Sequence, residues 1–197
     1  MKLNAKNPRQ LLGLKAHQRL PENTKVGHVN KQAQKRNKPV VYIWTDGGCR
    51  RNGFKNSVGA WACLLQTQLD GEEYQKIWCD GEWGTTNNRM EMMACIVALR
   101  KLRNPTRVVI RIDSKYVKNG ITKYIKTWQY NGWMTQAGTP VKNKDLWVEL
   151  HSLIKKHTVV FIWVEGHKND RNNLYVDQLC YLKMDELEAK AGMKKII

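Results

Sequence analysis

The sequence has no apolar run near the roughly 18 residues that a membrane-spanning helix requires. A helical membrane protein is excluded, and no membrane partner is expected. Cysteine is sparse and unpatterned. The five residues, Cys49, Cys63, Cys79, Cys95 and Cys180, are odd in number and include no C-x-x-C pair, which speaks against a disulfide framework and against a zinc site. They read as reduced, mostly buried thiols of an intracellular protein, with the cytoplasm as the expected compartment. The N-terminus shows no continuous apolar core of the kind a secretory signal carries. Internal repeats and low-complexity tracts are missing as well. Acids are scarce beside bases: 17 Asp and Glu face 34 Lys and Arg, a formal net charge of +17. That surplus points to a polyanionic partner, nucleic acid being the commonest. A basic surface kept for solubility alone is the plainer alternative.

The shortages are greatest at the start. Residues 1–38 contain no aromatic residue, no serine and one acid, Glu22, against ten Lys and Arg. Such a segment buries too little area to fold alone and is expected to be a flexible basic arm. At most it holds a short helix from Asn7-Pro8 to about Leu20. It fits a sequence-nonspecific nucleic-acid tether, an inert arm, or an organellar transit peptide, the missing serine counting against the last.

What is present lies beyond Pro39. The composition, 42% hydrophobic with eight Trp, permits a sizeable core. The length suits one domain with an appendage, divided as arm 1–38, folded domain 39–190 and tail 191–197. Val40 to Thr45 is a short apolar run with the character of a buried strand. Ser57 to Gln66 and Tyr74 to Asp80 read as two more strands around the turn-prone Asp70-Gly71. Asn88 to Leu102 has helical periodicity. A strand is expected over Val108 to Ile112, helices over Ser114 to Asn119, Thr122 to Gln129 and Asn143 to His157, a strand over Val159 to Val164, and a last helix from Tyr175 to about Lys190. The order implies an α/β domain with a mixed sheet.

Four acids stand out on these elements. Asp46 immediately follows the first apolar strand, and Asp113 immediately follows Val108 to Ile112; strand ends are where open α/β sheets build their sites. Glu91 shares a helix face with Cys95 and Ala98, although Asn88-x-x-Glu91 also has capping-box spacing. Asp177 lies beside Val176 and Leu179 on the last helix, where a surface role is equally open. His167 follows a glycine in a polar loop, Val164 to Asn173, and is not a packed histidine. Converging carboxylates call for hard divalent cations, chiefly Mg²⁺. Two such ions about 4 Å apart serve phosphoryl transfer. A basic protein with an acidic metal cluster suits hydrolysis of a nucleic-acid backbone.

Together the segments Tyr42-Ile43-Trp44-Thr45-Asp46-Gly47, Thr85-Thr86-Asn87-Asn88-Arg89-Met90-Glu91, Ile112-Asp113-Ser114-Lys115-Tyr116-Val117, Trp163-Val164-Glu165-Gly166-His167 and Asp177 resemble the type 1 ribonuclease H family, across roughly Pro39 to Leu187. The resemblance implies the ribonuclease H-like fold, a five-stranded mixed sheet flanked by helices. It implies an endoribonuclease that cleaves the RNA strand of RNA–DNA hybrids, acts as a monomer and leaves 5′-phosphate and 3′-hydroxyl ends. It assigns Asp46, Glu91, Asp113 and Asp177 to two Mg²⁺ ions, with Asp46 between them and Mn²⁺ a possible substitute. His167 then assists proton movement or product departure. Asn52, Asn87 and Asn88, with the backbone near Cys49, fall along the RNA minor-groove face. Thr86 and Asn143 fall at a DNA phosphate, and Trp128, with Tyr116 and Tyr124, at a channel for deoxyribose. Trp133, Trp147 and Trp163 are expected in the core.

The sequence departs from the family pattern at two places. Gln129-Tyr130-Asn131-Gly132-Trp133 is nearly neutral where the family's helical handle often carries Lys and Arg. Gly84 stands where some members place an arginine. The expectation is that the basic arm supplies the affinity that those changes remove. The arm lacks the aromatic pattern of the hybrid-binding module that precedes many eukaryotic members.

Overall fold

The computed structural model describes residues 39–166 and 170–192. The helix expected between Asn7 and Leu20, the arm as a whole, His167 and the end of the tail lie outside the described residues. Five strands form one sheet: β1 (Val40–Arg50), β2 (Val58–Leu69), β3 (Glu72–Trp83), β4 (Arg107–Ile112) and β5 (Thr158–Trp163), in spatial order β3-β2-β1-β4-β5. β1, β2 and β3 pair antiparallel, while β1, β4 and β5 run parallel, which is the mixed sheet expected.

The helices are α1 (Asn87–Arg100), α2 (Lys115–Asn119), α3 (Ile125–Tyr130), α4 (Lys144–Ile154) and α5 (Arg171–Lys190). The two helices expected on either side of Gly120 are one continuous coil, because a π-helical turn, Gly120–Tyr124, joins α2 to α3. Gly120 is required there: a Cβ on it would stand 2.1 Å from the Trp147 ring.

Two apolar layers hold the sheet. On one face Ile43, Ile110 and Ile112 meet Ile96 and Leu99 of α1 and Trp147 of α4. α1 is buried nearly all round, since sheet and α4 enclose it. On the other face Trp44, Val58 and Leu64 meet Val176, Cys180 and Met184 of α5.

Three boundaries differ from expectation, each in a way that matters to the site. β1 does not stop at Thr45. Its parallel pairing with β4 ends at Thr45–Ile112, but its antiparallel pairing with β2 continues to Arg50–Val58. Asp46 therefore lies inside β1. The N-cap of α1 is Thr86, whose hydroxyl accepts from the Arg89 N–H at 3.4 Å, so Asn88 and Glu91 do not form a capping box. α5 begins at Arg171 rather than Tyr175, because Asp170 caps it by accepting from the Asn172 and Asn173 N–H groups.

Candidate active site

The register of the central strands sets the site. Asp46 and Asp113 each come one residue past the last parallel pair of β1 and β4, so both emerge at the same end of neighbouring strands. α1 then crosses β1 at Gly47, where its backbone presses against the strand and brings Glu91 beside Asp46. α5 contributes Asp177. One turn further along, Cys180 donates its thiol to the Asp46 carbonyl at 3.5 Å and holds that helix to β1. The four carboxylates line one cleft of about 390 Å³, with Asn87, Gly166, Cys49 and Cys180 among its other walls.

The cleft is electrostatically expensive for its own acids. Burial, followed by the charges of Asp113 and Asp177, pushes the Asp46 carboxyl up to about 8, and Asp46 and Asp177 hydrogen-bond through their side chains. Burial raises Glu91 to about 7, opposed by hydrogen bonds from Ser114 and Asn87. Four oxygen-donor carboxylates held in a half-buried cleft suit a hard divalent cation, whose charge offsets this repulsion. Among the described residues no three acidic, histidine or cysteine side chains close into a ligand cage. Glu91 accepts from Ser114 Oγ and, at 2.9 Å, from Asn87 Nδ2, while Asp113 Oδ2 accepts from Asn173 Nδ2 at 3.3 Å. The donor set fits the metal.

Of the expected substrate residues, Asn87 lines the cleft, and its backbone N–H donates to Asn52 Oδ1 at 3.1 Å, which places Asn52 beside it. Asn88 is half-buried in the first turn of α1. The Thr86 hydroxyl is used as a cap acceptor, leaving its proton to donate. Asn143 stands at the N-cap position of α4 in a left-handed conformation, φ 58°, without a side-chain cap bond; its Nδ2 donates instead to the Tyr116 hydroxyl at 3.1 Å. Arg89 grips Asp145 with both Nη atoms, at 3.1 and 2.8 Å, and ties the first turns of α1 and α4 together. Trp128 and Asn143 do not line the carboxylate cleft. Trp128 is half-buried in an aromatic row, 5.7 Å from Tyr124 and 5.3 Å from Trp147 between ring centroids, and Tyr116 extends the row beyond Trp147 at 5.2 Å.

Trp147 is in the core as expected, and Trp133 packs half-buried against it. Trp163 corrects the expectation. It is 37% exposed at the end of the edge strand β5, its indole donates to the Asp113 carbonyl at 3.0 Å, and the Lys115 ammonium sits 5.1 Å from its ring centroid. The handle's loss of charge is also partial, since Lys115, Lys118, Lys123 and Lys126 precede the neutral stretch. The sequence places Asn173 in the polar loop and gives no sign of its role, yet it is buried and donates to Asp113.

The RNase H family model matches residues 37–184. A ribonuclease H of Hydrogenovibrio crunogenus is 45% identical over 147 residues, covering 75% of this chain and 97% of the relative. The crystal structure of LC9-RNase H1, described as a type 1 RNase H with the type 2 active-site motif, superposes with a TM-score of 0.69 at 28% identity, covering 76% of this chain and 74% of that one. The structure of LC11-RNase H1 in complex with RNA/DNA hybrid shares the fold with a TM-score of 0.54 at 20% identity, over 75% of this chain and 98% of that one.

Proposed function

The chain belongs to the ribonuclease H family, an endoribonuclease family of RNA–DNA hybrids, and we propose that this member cuts the RNA strand by two-metal hydrolysis in the Asp46, Glu91, Asp113 and Asp177 cleft. The observation that carries this reading is the meeting of those four carboxylates, from β1, from just past the end of β4 and from two helices, in one cleft. Asp46, Glu91, Asp113 and Asp177 would hold two Mg²⁺ ions, whose positive charge would activate water and stabilise the departing 3′ oxygen. Mn²⁺ is a workable substitute, given the same oxygen donors.

The chain's own groups do the rest. Ser114 and Asn87 hold one carboxylate, Glu91, while Asn173 holds another, Asp113, so the ligand oxygens are aimed before any ion arrives. Asn52, Asn87 and Asn88 are assigned to the RNA strand, Asn87 lining the cleft and Asn52 bonded to it; an amide can both donate to and accept from a 2′-hydroxyl, which is what distinguishes RNA from DNA. Thr86 and Asn143, on the two helix starts that Arg89 and Asp145 join, are assigned to a DNA phosphate. Trp128, with Tyr116 and Tyr124, is assigned to deoxyribose, whose apolar C2′ face suits an aromatic edge. His167 is assigned to proton movement or product departure.

End analysis of the products tests the chemistry. RNA fragments that carry 5′-phosphate and 3′-hydroxyl support in-line hydrolysis with a departing 3′ oxygen. Fragments ending in 2′,3′-cyclic phosphate would mean attack by the RNA's own 2′-hydroxyl and would sink the two-metal reading.

A further inference from the structure

A fifth acid, Asp170, is not part of the cleft, yet its two oxygens are divided between different tasks. Oδ1 accepts from the backbone N–H groups of Asn172 and Asn173 at 3.1 and 3.2 Å, which is the N-cap that opens α5. Oδ2 accepts from Trp44 Nε1 at 3.0 Å and stands 3.6 Å from Arg111 Nη1. Trp44 and Arg111 are paired directly across β1 and β4, and the guanidinium lies over the indole, 5.7 Å from the ring centroid. A helix cap needs only the first oxygen. The second fastens the cap to the sheet.

The fastening point is specific. Trp44 and Arg111 form the last parallel pair but one of β1 and β4, two residues before Asp46 and Asp113, so the anchor pair stands one row back from the carboxylates. Along α5, Asn173 and Asp177 lie three and seven residues from Asp170, the latter two turns or about 10 Å of rise away. Asn173 is 1% exposed, its Nδ2 donates to Asp113, and its Oδ1 is buried without a partner. The amide's aim therefore depends on where the first turn of α5 is placed.

We propose that Asp170 is a positioning residue: with Trp44 and Arg111 it locks the start of α5 to the strands carrying Asp46 and Asp113, and so sets where Asn173 and Asp177 meet those carboxylates. This rests on the ribonuclease H reading of the cleft.

Asp170→Ser separates the two tasks, because serine is an equally good N-cap but cannot reach the indole and guanidinium with a second oxygen. Trp44→Phe removes the indole N–H while keeping the ring. Both full-length variants are compared with wild type by calorimetric Mg²⁺ titration, thermal melting, and steady-state cleavage of a hybrid. Groups that hold a metal's ligands contribute about 10–100-fold to its affinity. Asp170→Ser is expected to bind Mg²⁺ about tenfold more weakly, with kcat at limiting Mg²⁺ reduced in step and KM for the hybrid unchanged; Trp44→Phe shifts the same way by about threefold. Wild-type Mg²⁺ affinity and kcat in Asp170→Ser would overturn the proposal and leave Asp170 a helix cap. If that variant does not fold, unchanged Mg²⁺ affinity in Trp44→Phe overturns it just as well. A wild type that neither binds Mg²⁺ nor cleaves hybrids would fail the reading beneath it instead.

Discussion

The backbone of Glu91 lies against the bare Cα of Gly47: a Cβ built on that glycine would stand 2.2 Å from the Glu91 nitrogen and 2.3 Å from the Met90 carbonyl carbon. Two of the four carboxylates are thus brought together by the lack of a side chain on the residue after Asp46. Gly47→Ala must push α1 away from β1, since both opposing atoms are backbone. Overpacking of this kind costs about 1–3 kcal/mol. The variant is expected to melt earlier, and to lose more turnover than its melting temperature alone accounts for when assayed well below that temperature.

Ser114 both caps α2, through the Val117 N–H at 3.3 Å, and donates to Glu91. That hydrogen bond opposes the burial that raises Glu91 to about 7. Ser114→Ala removes the opposition, so Glu91 should lose its proton at still higher pH. The acid limb of the pH–rate profile should move to higher pH, whereas removal of the cap alone would lower stability by about 1 kcal/mol without moving the limb. A pH–rate profile at saturating hybrid distinguishes the two.

The raised carboxyls also set a stability trend. With Asp46 at about 8 against 3.8, and Glu91 at about 7 against 4.5, the folded protein holds more protons than the unfolded chain across that interval. Stability without metal must therefore fall as pH rises from about 4 to 8, and be fully present only below the unfolded values. Asp46→Asn, which has no proton to lose, should be more stable than wild type in EDTA at pH 8.5, with the gap narrowing at pH 5.5. Mg²⁺ competes with those protons, so its stabilisation of the wild type should grow with pH. Thermal melts at the two pH values, in EDTA and in Mg²⁺, check all three signs.

The basic N-terminal residues make a separate prediction from charge alone. Residues 1–38 hold ten Lys and Arg and one acid. If they neutralise phosphates of the hybrid, deleting them should weaken hybrid binding and flatten its salt dependence, by about 0.9 in slope for each phosphate left without its cation. An unchanged slope would mean that the lysines of α2 and α3 supply the electrostatic affinity.

The central sheet was legible in the sequence because Val40 to Thr45 and Val108 to Ile112 are apolar on every residue or nearly so, the pattern of strands covered on both faces. The strand ends were not. Asp46, Gly47 and Gly48 lie past the apolar run, and only the partner strand β2, further along the chain, keeps them extended to Arg50. The start of α5 was hidden for a related reason: Asp170 to Asn173 has no apolar period, and the cap that orders it draws on Trp44 and Arg111 from other strands. Trp163 shares the alternation of half-buried Val159 and Phe161, but its place at the end of the edge strand leaves it 37% exposed. The four carboxylates were visible as motifs. Their holders, Ser114 and Asn173, act through contacts that spacing does not encode.

The most direct test incubates end-labelled RNA–DNA hybrid, duplex RNA, duplex DNA and single-stranded RNA with wild type and Asp46→Asn, in Mg²⁺ or EDTA. Cleavage of the RNA strand in the hybrid alone, abolished by EDTA and by Asp46→Asn in a protein that still folds, is the predicted result. A folded Asp46→Asn with near-normal turnover, or tight hybrid binding by wild type without any cut, would contradict the assignment of catalysis to this cleft.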